Sequence, residues 1–264
     1  MNDLLVEKNN HIATLTFDRP KARNALSTDM RNNLRDTLAE LELDDDIRCL
    51  VLKGSGEHFM AGGDVKRMLE YLEETPEKIR ADCIQRIHDL HPIMFTMRRM
   101  PKPIIASVEG AAAGAGVSMA LACDLVIASD SAFFTLAYVN IGTSPDGSAS
   151  FNLPRAVGIK KAMEIAMLGD RFDAQTAKDI GMINFVVPHA DLASETEKLA
   201  TRLANGPTKV YGNTKRLLYS SLENSWESQL QLEGETFGDC AARNDFREGV
   251  NAFNEKRKPN FKGN

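Results

Sequence analysis

HFMAGGD at residues 58–64 and GAAAGAG at residues 110–116 are the two stretches that decide how this chain folds. Each follows a short apolar run typical of a buried strand, at residues 49–52 and 104–108, and each leads into a helix-like run. The first backbone N–H groups of a helix have no partner within that helix. Two such turns that face one another can direct two N–H groups at one oxygen atom, which favours chemistry that places negative charge on a carbonyl oxygen.

Composition and charge narrow the class of protein. The 264 residues are 43% hydrophobic and 26% charged, which is ordinary for a globular protein with a sizeable core. The formal net charge is −5, so we expect no nucleic-acid partner and no broad attraction to an anionic membrane. No C-x-x-C pair occurs among the cysteines, which argues against a metal site or a disulfide framework and suits a reducing compartment; they are Cys49, Cys83, Cys123 and Cys240.

No stretch of the sequence predicts a membrane span or an export signal. Asp3 and Glu7 interrupt the first residues, so no signal peptide is predicted. The apolar stretch at residues 110–123 is bounded by Glu109 and Asp124 and is shorter than the roughly 20 residues that a membrane span requires. We therefore expect a cytoplasmic protein without a membrane partner.

Strand and helix patterns alternate along the first 190 residues and predict an α/β core. The predicted strands are residues 11–17, 47–52, 104–108, 125–128 and 133–136. Ser27 is the expected N-cap of a helix to residue 43, and one long helical region is predicted for residues 76–100, before Pro101 and Pro103. Beyond about residue 191 the pattern is helical only, at residues 192–205, 207–222, 225–242 and 246–256. The expected domains are a core at residues 1–190 and a helical region at residues 191–264, which we expect to pack on a neighbouring subunit.

Five motifs, taken together, resemble the crotonase (enoyl-CoA hydratase/isomerase) superfamily along nearly the whole chain. They are the two glycine-rich stretches, RPKARNAL at residues 19–26, IGTSPDG at residues 141–147 and EGVNAFNEKR at residues 248–257. The resemblance implies an α/β spiral of repeated ββα units with a C-terminal helical trimerisation region. It also implies a homotrimer or a dimer of trimers, an acyl-CoA substrate and an enolate intermediate. No permanently bound cofactor and no metal are implied, since coenzyme A enters as part of the substrate.

The resemblance places the two oxyanion N–H donors on Gly63 and Ala115, in the same two turns that the residues themselves single out. One such donor lowers a reaction barrier by about 3–4 kcal/mol. The plainer alternative is that these glycines serve only tight turns and close packing. A dinucleotide-binding loop is disfavoured, because residues 110–116 read G-x-x-x-G-x-G rather than G-x-G-x-x-G and lack an early βαβ context.

The chain departs from the resemblance at the two glutamates that hydratases of this family use. Those positions hold Ser118 and Tyr138, neither of which is a carboxylate. A different carboxylate, Asp146, matches the single acidic residue of isomerases in the epoxyphenylacetyl-CoA isomerase-like subgroup. A lone carboxylate suits isomerisation, because it takes a proton from one carbon and returns it to another. The local alternative is that Asp146 belongs to a Ser-Pro-Asp-Gly turn and caps the helix that follows.

Two further functions remain open at this point. Crotonase-like aryl-CoA dehalogenases carry a nucleophilic Asp at the position of Asp146, an aromatic residue near Tyr138 and a His base, for which His91 is the candidate. A lone His in a helix is more often structural. The absence of both glutamates also suits a catalytically inactive relative that binds CoA or RNA, although the net negative charge weighs against RNA.

Coenzyme A carries several phosphate charges, so an acidic protein must supply local cations to bind it. The resemblance assigns CoA contacts to three segments: Lys21, Ala22, Arg23 and Ala25 in the first loop; Ala61, Asp64 and Val65 along the thioester channel; and Phe253 and Lys256 in a tail that reaches a neighbouring subunit. Asp64 also has a structural interpretation, because an acidic residue in the first turn of a helix is stabilised by the helix dipole.

Overall fold

Two β-sheets meet at the glycine-rich turns in the computed structural model, which describes residues 3–264 apart from the side chains of Lys66, Arg67 and Tyr71. The strands are β1 (Leu4–Asn9), β2 (Ile12–Phe17), β3 (Cys49–Gly54), β4 (Ile104–Val108), β5 (Ala111–Ala113), β6 (Leu125–Ser129), β7 (Phe133–Thr135), β8 (Phe172–Asp173) and β9 (Phe185–Val187). In the described residues the larger sheet has the order β1-β2-β3-β4-β6-β9, and the smaller has the order β5-β7-β8.

Helices make up most of the remaining chain. They are α1 (Thr28–Leu43), α2 (Val65–Met68), α3 (Pro76–His88), α4 (His91–Arg99), α5 (Ala115–Ala122), α6 (Ala149–Val157), α7 (Ile159–Leu168), α8 (Ala174–Asp179), α9 (Leu192–Ala204), α10 (Thr208–Ser220), α11 (Trp226–Ala241) and α12 (Asn244–Asn254). Short 3-10 turns occupy Pro20–Ala22, Leu69–Glu73, Tyr138–Ile141 and His189–Asp191. In the part of the chain that the structure describes, no helix combines the length and the apolar character needed to cross a membrane.

A strand–strand–helix unit repeats along the core. Strands β2, β3, β4 and β6 run parallel in the larger sheet, and each is followed by a segment that pairs within or beside the smaller sheet. After β3 the second segment is short, and it pairs through Met60 with Ala112 and through Gly63 with Leu26. After β4 and β6 the second segments are β5 and β7, which pair in parallel. This arrangement confirms the predicted α/β spiral of ββα units.

Helix α1 illustrates how the sequence pattern becomes packing. Its apolar residues recur every three or four positions and therefore lie on one face; Met30, Leu34, Leu38 and Leu41 are fully buried there. The Ser27 hydroxyl accepts a hydrogen bond from the Met30 N–H at 3.0 Å, which confirms the predicted N-cap. The buried face of α1 packs against α4. It covers the core on the side of the loop that precedes α1.

The helical region predicted for residues 76–100 is helical in the structure, but it is divided into two helices, α3 and α4. Pro92 is the second residue of α4. In a continuous helix, Pro92 would lack the N–H that bonds to the carbonyl of His88, and its ring would collide with that carbonyl. A proline is tolerated at a helix start, where the N–H has no intrahelical partner. The chain therefore turns at Asp89 and Leu90, between the two helices.

Beyond Asp191 the described chain is helical, as predicted, while the division into two domains stays a prediction. Helix α9 lies on one face of the larger sheet, where Leu192, Ala200 and Ala204 pack on Cys49, Val51, Ile105 and Ile127. The last residues are held against the start of α12. There the buried Asp245 carboxylate accepts hydrogen bonds from the Lys262 and Gly263 N–H groups at 2.7 and 2.8 Å.

Candidate active site

The two glycine-rich turns lie side by side. The segment from Met60 to Gly63 is held on one side by the Leu26 N–H, which donates to the Gly62 carbonyl at 2.8 Å. On its other side the Ala113 N–H donates to the Met60 carbonyl at 2.9 Å. A methyl group placed on Gly62 would lie 3.9 Å from the Ala115 nitrogen, so the two turns approach to van der Waals contact.

Two backbone N–H groups in these turns are free to bind an oxygen atom. Ala115 is the first residue of α5, where a backbone N–H has no partner within the helix. Gly63 pairs in parallel with Leu26, and such a pair uses the peptide groups on either side of Gly63. The Gly63 N–H is therefore directed away from Leu26, towards the second turn. Among residues 3–264, neither N–H group donates to a turn, loop or side-chain acceptor.

The close approach of the turns depends on glycine. Gly114 has φ +48° and ψ −114°, a backbone conformation that residues with a Cβ rarely adopt. A Cβ on Gly116 would collide with the Met60 carbonyl oxygen, so a side chain there would push the start of α5 away from the first turn. The order of small residues in the second stretch thus sets how near the two N–H groups stand.

A carboxylate lies beside the second turn in a hydrogen-bonded cluster of three side chains. The Tyr138 hydroxyl donates to Asp146 Oδ1 at 2.6 Å. The Ser118 hydroxyl oxygen lies 3.1 Å from the Tyr138 hydroxyl oxygen and 3.0 Å from the Asp146 backbone carbonyl oxygen. A methyl group placed on Gly114 would lie 3.9 Å from Tyr138 Cζ, so the tyrosine ring borders the turn that carries the free Ala115 N–H.

The surroundings of Asp146 make it a stronger base than an exposed aspartate. Burial raises its pKa above the ordinary value, and this effect exceeds the opposing effects of the Tyr138 hydrogen bond and of the positive charge of Arg86. Burial, together with the negative charge of Asp146, also raises the pKa of Tyr138. The tyrosine hydroxyl therefore keeps its proton at neutral pH and remains a donor to the carboxylate.

The capping alternative for Asp146 is wrong. Helix α6 begins at Ala149, its N-cap is Ser148, and no side chain caps it. The Asp146 backbone carbonyl accepts from the Ala149 N–H at 3.0 Å, but its side chain turns towards Tyr138 instead. The carboxylate is thus directed to the cluster beside the two turns.

Arg86 is a further residue of this region that the sequence did not single out. It lies in the last turn of α3. A methyl group placed on Gly63 would lie 2.6 Å from Arg86 Nη2 and 3.6 Å from Met68 Cε. One basic residue in an amphipathic helix carries no motif, so no signal in the sequence identifies it. Its position depends on the chain folding back after α2.

Two of the three segments predicted to bind CoA lie together at the first glycine-rich turn. Lys21 and Arg23 are exposed and Ala22 and Ala25 are half-buried in the loop before α1. The Ala61 N–H donates to the Arg23 carbonyl at 2.9 Å, which joins this loop to the first glycine-rich turn. Two exposed cations therefore stand within one hydrogen-bonded loop system beside the candidate site, while their contact with CoA stays a prediction.

Asn24 holds this loop in place. It is fully buried with φ +57°, and its side-chain amide donates to the Ser55 and His58 carbonyls at 2.9 and 2.6 Å. Its side-chain oxygen accepts from the Arg19 N–H at 2.9 Å.

We expect Asn24→Ala to lower the free energy of unfolding by about 3 kcal/mol, because it leaves three partly buried backbone groups without their partner. Urea denaturation measures this loss. Asn10→Ala is the matched control, since Asn10 also has a left-handed φ (+50°) but is exposed, and we expect it to cost about 1 kcal/mol. Equal losses in the two variants would contradict a special role for the Asn24 side chain.

Asp64 has a structural partner. Its carboxylate pairs with Arg19 Nη2 at 3.0 Å, and Arg19 Nη1 donates to the Ala25 carbonyl at 2.7 Å. The pair links the first turn to the loop that precedes α1, which favours the structural interpretation of Asp64. Val65 follows as the first residue of α2 and is about half exposed (48%).

Within the described chain, three predicted site residues form no hydrogen bond or ion pair with the cluster and have other surroundings: His91, Phe253 and Lys256. The His91 ring packs between His88 and Phe95, at centroid distances of 5.3 and 5.9 Å. The neighbouring residue Leu90 faces the Asp146 loop instead, since a methyl group on Gly147 would lie 3.3 Å from Leu90 Cδ2. Phe253 on α12 is 84% exposed, and Lys256 follows that helix, also exposed. Their contact with a neighbouring subunit stays a prediction.

This chain is similar to known proteins along nearly its whole length. A family model described as enoyl-CoA hydratase/isomerase matches residues 7–264. The 1,2-epoxyphenylacetyl-CoA isomerase of Escherichia coli is 38% identical over 253 residues, which cover 96% of this chain and 95% of that protein. The trans-2-decenoyl-[acyl-carrier-protein] isomerase of Streptococcus mutans is 35% identical over 265 residues, covering 99% and 98% of the two chains.

Solved structures of enoyl-CoA hydratases are also similar to this chain. The crystal structure of an enoyl-CoA hydratase from Polaromonas sp. JS666 superposes with a TM-score of 0.92 at 35% identity, covering 98% of this chain and 99% of that one. The chain belongs to the enoyl-CoA hydratase/isomerase family, the crotonase superfamily. It is accordingly an enzyme of the isomerase or lyase classes, with the crotonase fold.

Proposed function

We propose that this enzyme is an isomerase that moves the double bond of an acyl-CoA thioester through an enolate. The observation that carries the proposal is the Asp146 carboxylate, which lies against Tyr138 beside the turn that holds the free Ala115 N–H. The N–H groups of Gly63 and Ala115 bind the thioester carbonyl oxygen and stabilise the negative charge that develops on it.

Proton transfer by one carboxylate completes the reaction. For a 3-enoyl thioester, Asp146 removes a proton from C2, and the electrons of that C–H bond form a dienolate with the thioester carbonyl. The protonated Asp146 then returns the proton to C4, while the electrons reorganise into a C2–C3 double bond. No atom is gained or lost, and the same residue serves as base and then as acid.

Isomerisation is favoured over hydration by the residues around the carboxylate. Hydration requires a group that activates water and a group that delivers a proton to carbon, and Ser118 and Tyr138 stand where a second carboxylate would be needed. Two of the relatives in the comparison are named as isomerases, which supports the same choice. The His91 base of the dehalogenase alternative lacks support, because its ring packs against His88 and Phe95.

The remaining predictions concern how the substrate is held. In this proposal Lys21 and Arg23 attract the phosphates of CoA, and the backbone around Ala22, Ala25 and Ala61 contacts the pantetheine arm. Val65 borders the thioester channel, and Asp64 contributes by holding the turn. Phe253 and Lys256 reach the CoA of a neighbouring subunit in a trimer or a dimer of trimers. The four cysteines are free thiols, which supports a cytoplasmic location.

An activity screen tests the proposed function. The purified protein is given 3-enoyl-, 2-enoyl- and halobenzoyl-CoA thioesters, and products are separated by chromatography with mass detection. We expect conversion of 3-enoyl- to 2-enoyl-CoA. Formation of 3-hydroxyacyl-CoA alone would instead identify a hydratase, and halide release would identify a dehalogenase. Binding of acyl-CoA without turnover of any thioester would identify an inactive relative.

Tyr138→Phe is expected to move the acidic limb of the pH profile of kcat/KM to higher pH. The Tyr138 hydrogen bond lowers the pKa of Asp146, so its removal raises that pKa further. Because Asp146 must be ionised to act as a base, activity is then lost earlier as the pH falls, by roughly one pH unit.

The measurement is kcat/KM for a 3-enoyl-CoA at a series of pH values that covers the acidic limb of the wild-type profile. Tyr211→Phe is the control, because Tyr211 lies on α10 against Gly206 and outside the cluster. A shift to lower pH in Tyr138→Phe, or an equal shift in both variants, would contradict the predicted coupling.

A further inference from the structure

The Arg86 guanidinium lies at the centre of the candidate site without an anionic partner. Among the residues that the structure describes, no carboxylate lies within ion-pair distance of it, and its side chain makes no hydrogen bond. It is nevertheless partly buried and stands over Gly63, with Nη2 2.6 Å from the position of a methyl group on that residue. A half-buried guanidinium loses hydration, which an unpaired site does not replace.

The position of Arg86 is fixed by contacts of its main chain. Arg31 on α1 pairs with Asp89 at 2.9 Å, and its Nη1 donates to the Arg86 carbonyl at 3.4 Å. These contacts tie the last turn of α3 to α1, just before the chain turns at Leu90. The guanidinium is therefore presented to the Gly63 turn by an anchored helix end.

The positive charge of Arg86 also affects Asp146. The positive charge of Arg86 acts on the Asp146 carboxylate in the direction that lowers its pKa, although the two side chains form no ion pair. Arg86 thus lies against the Gly63 turn and is close enough to the Asp146 carboxylate to act on it electrostatically. With the thioester carbonyl bound at Gly63 as proposed, a group that binds Arg86 is part of the acyl chain next to that carbonyl.

We propose that Arg86 determines substrate specificity by binding a carboxylate carried by the acyl chain of the thioester. This inference rests on the proposed function, because it places the acyl chain beside Gly63. A guanidinium presents two parallel N–H donors that match the geometry of a carboxylate. The phosphates of CoA do not fit this position, since the whole pantetheine arm separates them from the thioester. The positive charge also offsets the repulsion between a carboxylated acyl chain and Asp146.

The test measures binding of two unreactive thioesters, glutaryl-CoA and pentanoyl-CoA, by isothermal titration calorimetry. Both have a five-carbon acyl chain, and only the first ends in a carboxylate. We expect the wild-type protein to bind glutaryl-CoA more tightly, by about 10- to 100-fold. In Arg86→Met this preference is lost, whereas Arg86→Lys retains part of it because the charge remains.

Arg80→Met is the matched control, because Arg80 is an exposed arginine on the same helix. It retains the wild-type preference, and circular dichroism establishes that each variant is folded. Equal affinity of the wild-type protein for the two thioesters would overturn the inference, as would an equal loss of both in Arg86→Met. Turnover of neutral 3-enoyl-CoA by the wild-type protein is measured separately. Its absence would refute the proposed function, whereas equal binding with intact turnover would refute the Arg86 inference alone.

Discussion

Asp146→Asn is expected to lower kcat for double-bond migration by about 10²- to 10⁴-fold, the contribution of a positioned general base and acid. The amide keeps the shape of the carboxylate, and its oxygen still accepts a hydrogen bond from Tyr138. It cannot take a proton from carbon, so both halves of the proposed transfer are lost. The affinity for the acyl-CoA is expected to change little, because Asp146 is not proposed to hold the carrier.

The measurement is steady-state turnover of a 3-enoyl-CoA, with binding of the matching saturated thioester measured by calorimetry. Asp170→Asn is the control, because it makes the same chemical change at an exposed residue after α7, and it is expected to leave kcat unchanged. If Asp146→Asn keeps most of the wild-type kcat, the proton transfer assigned to this residue is refuted.

Ala115→Pro is expected to lower kcat/KM by at least about 10²-fold, because it removes one of the two proposed oxyanion donors. Proline is compatible with the first position of a helix, where its missing N–H has no intrahelical partner. The preceding residue is Gly114, which lacks the Cβ that a following proline ring would otherwise strike. The substitution therefore removes a main-chain donor, which a side-chain replacement cannot do, and its ring occupies the space of the lost hydrogen.

Asn244→Pro controls for the effect of proline at a helix start, because Asn244 is the exposed first residue of α12. Thermal denaturation of both variants separates a loss of stability from a loss of chemistry. A folded Ala115→Pro enzyme with wild-type kcat/KM would exclude the Ala115 N–H from the reaction.

Local chemistry predicted a large part of the fold. The strand–turn–helix units followed from apolar runs that end in glycine, and α1 followed from its apolar period and from Ser27. The helical region at residues 76–100 was predicted, but its division into α3 and α4 was not, because the apolar pattern continues through Pro92 and a proline begins a helix as readily as it ends one. Only packing against α1 reveals where the chain turns.

The candidate site was predictable to a lesser extent. That the two glycine-rich turns can carry free N–H groups follows from strand–turn–helix patterns, which are local. The assignment to Gly63 and Ala115 came from the family resemblance, and the Gly63 N–H is left free by pairing with the distant Leu26. The hydrogen bond from Tyr138 to Asp146 was not predictable, because the sequence of the turn around Asp146 equally suits a side chain that caps the following helix. The place of Arg86 depends on how α3 folds back over Gly63, a long-range contact without a sequence signature.

The two kinds of reacting group have different origins in the molecule. The proposed carbonyl-binding donors are peptide groups, kept in position by pairing with Leu26 and by the start of α5. The group proposed to transfer the proton is instead a side chain, at position 146, within a cluster completed by the side chains at positions 118 and 138. Laboratory evolution can therefore randomise those three positions while thioester activation is retained. A small library at these sites is a direct route to catalysts that perform new reactions on a common scaffold.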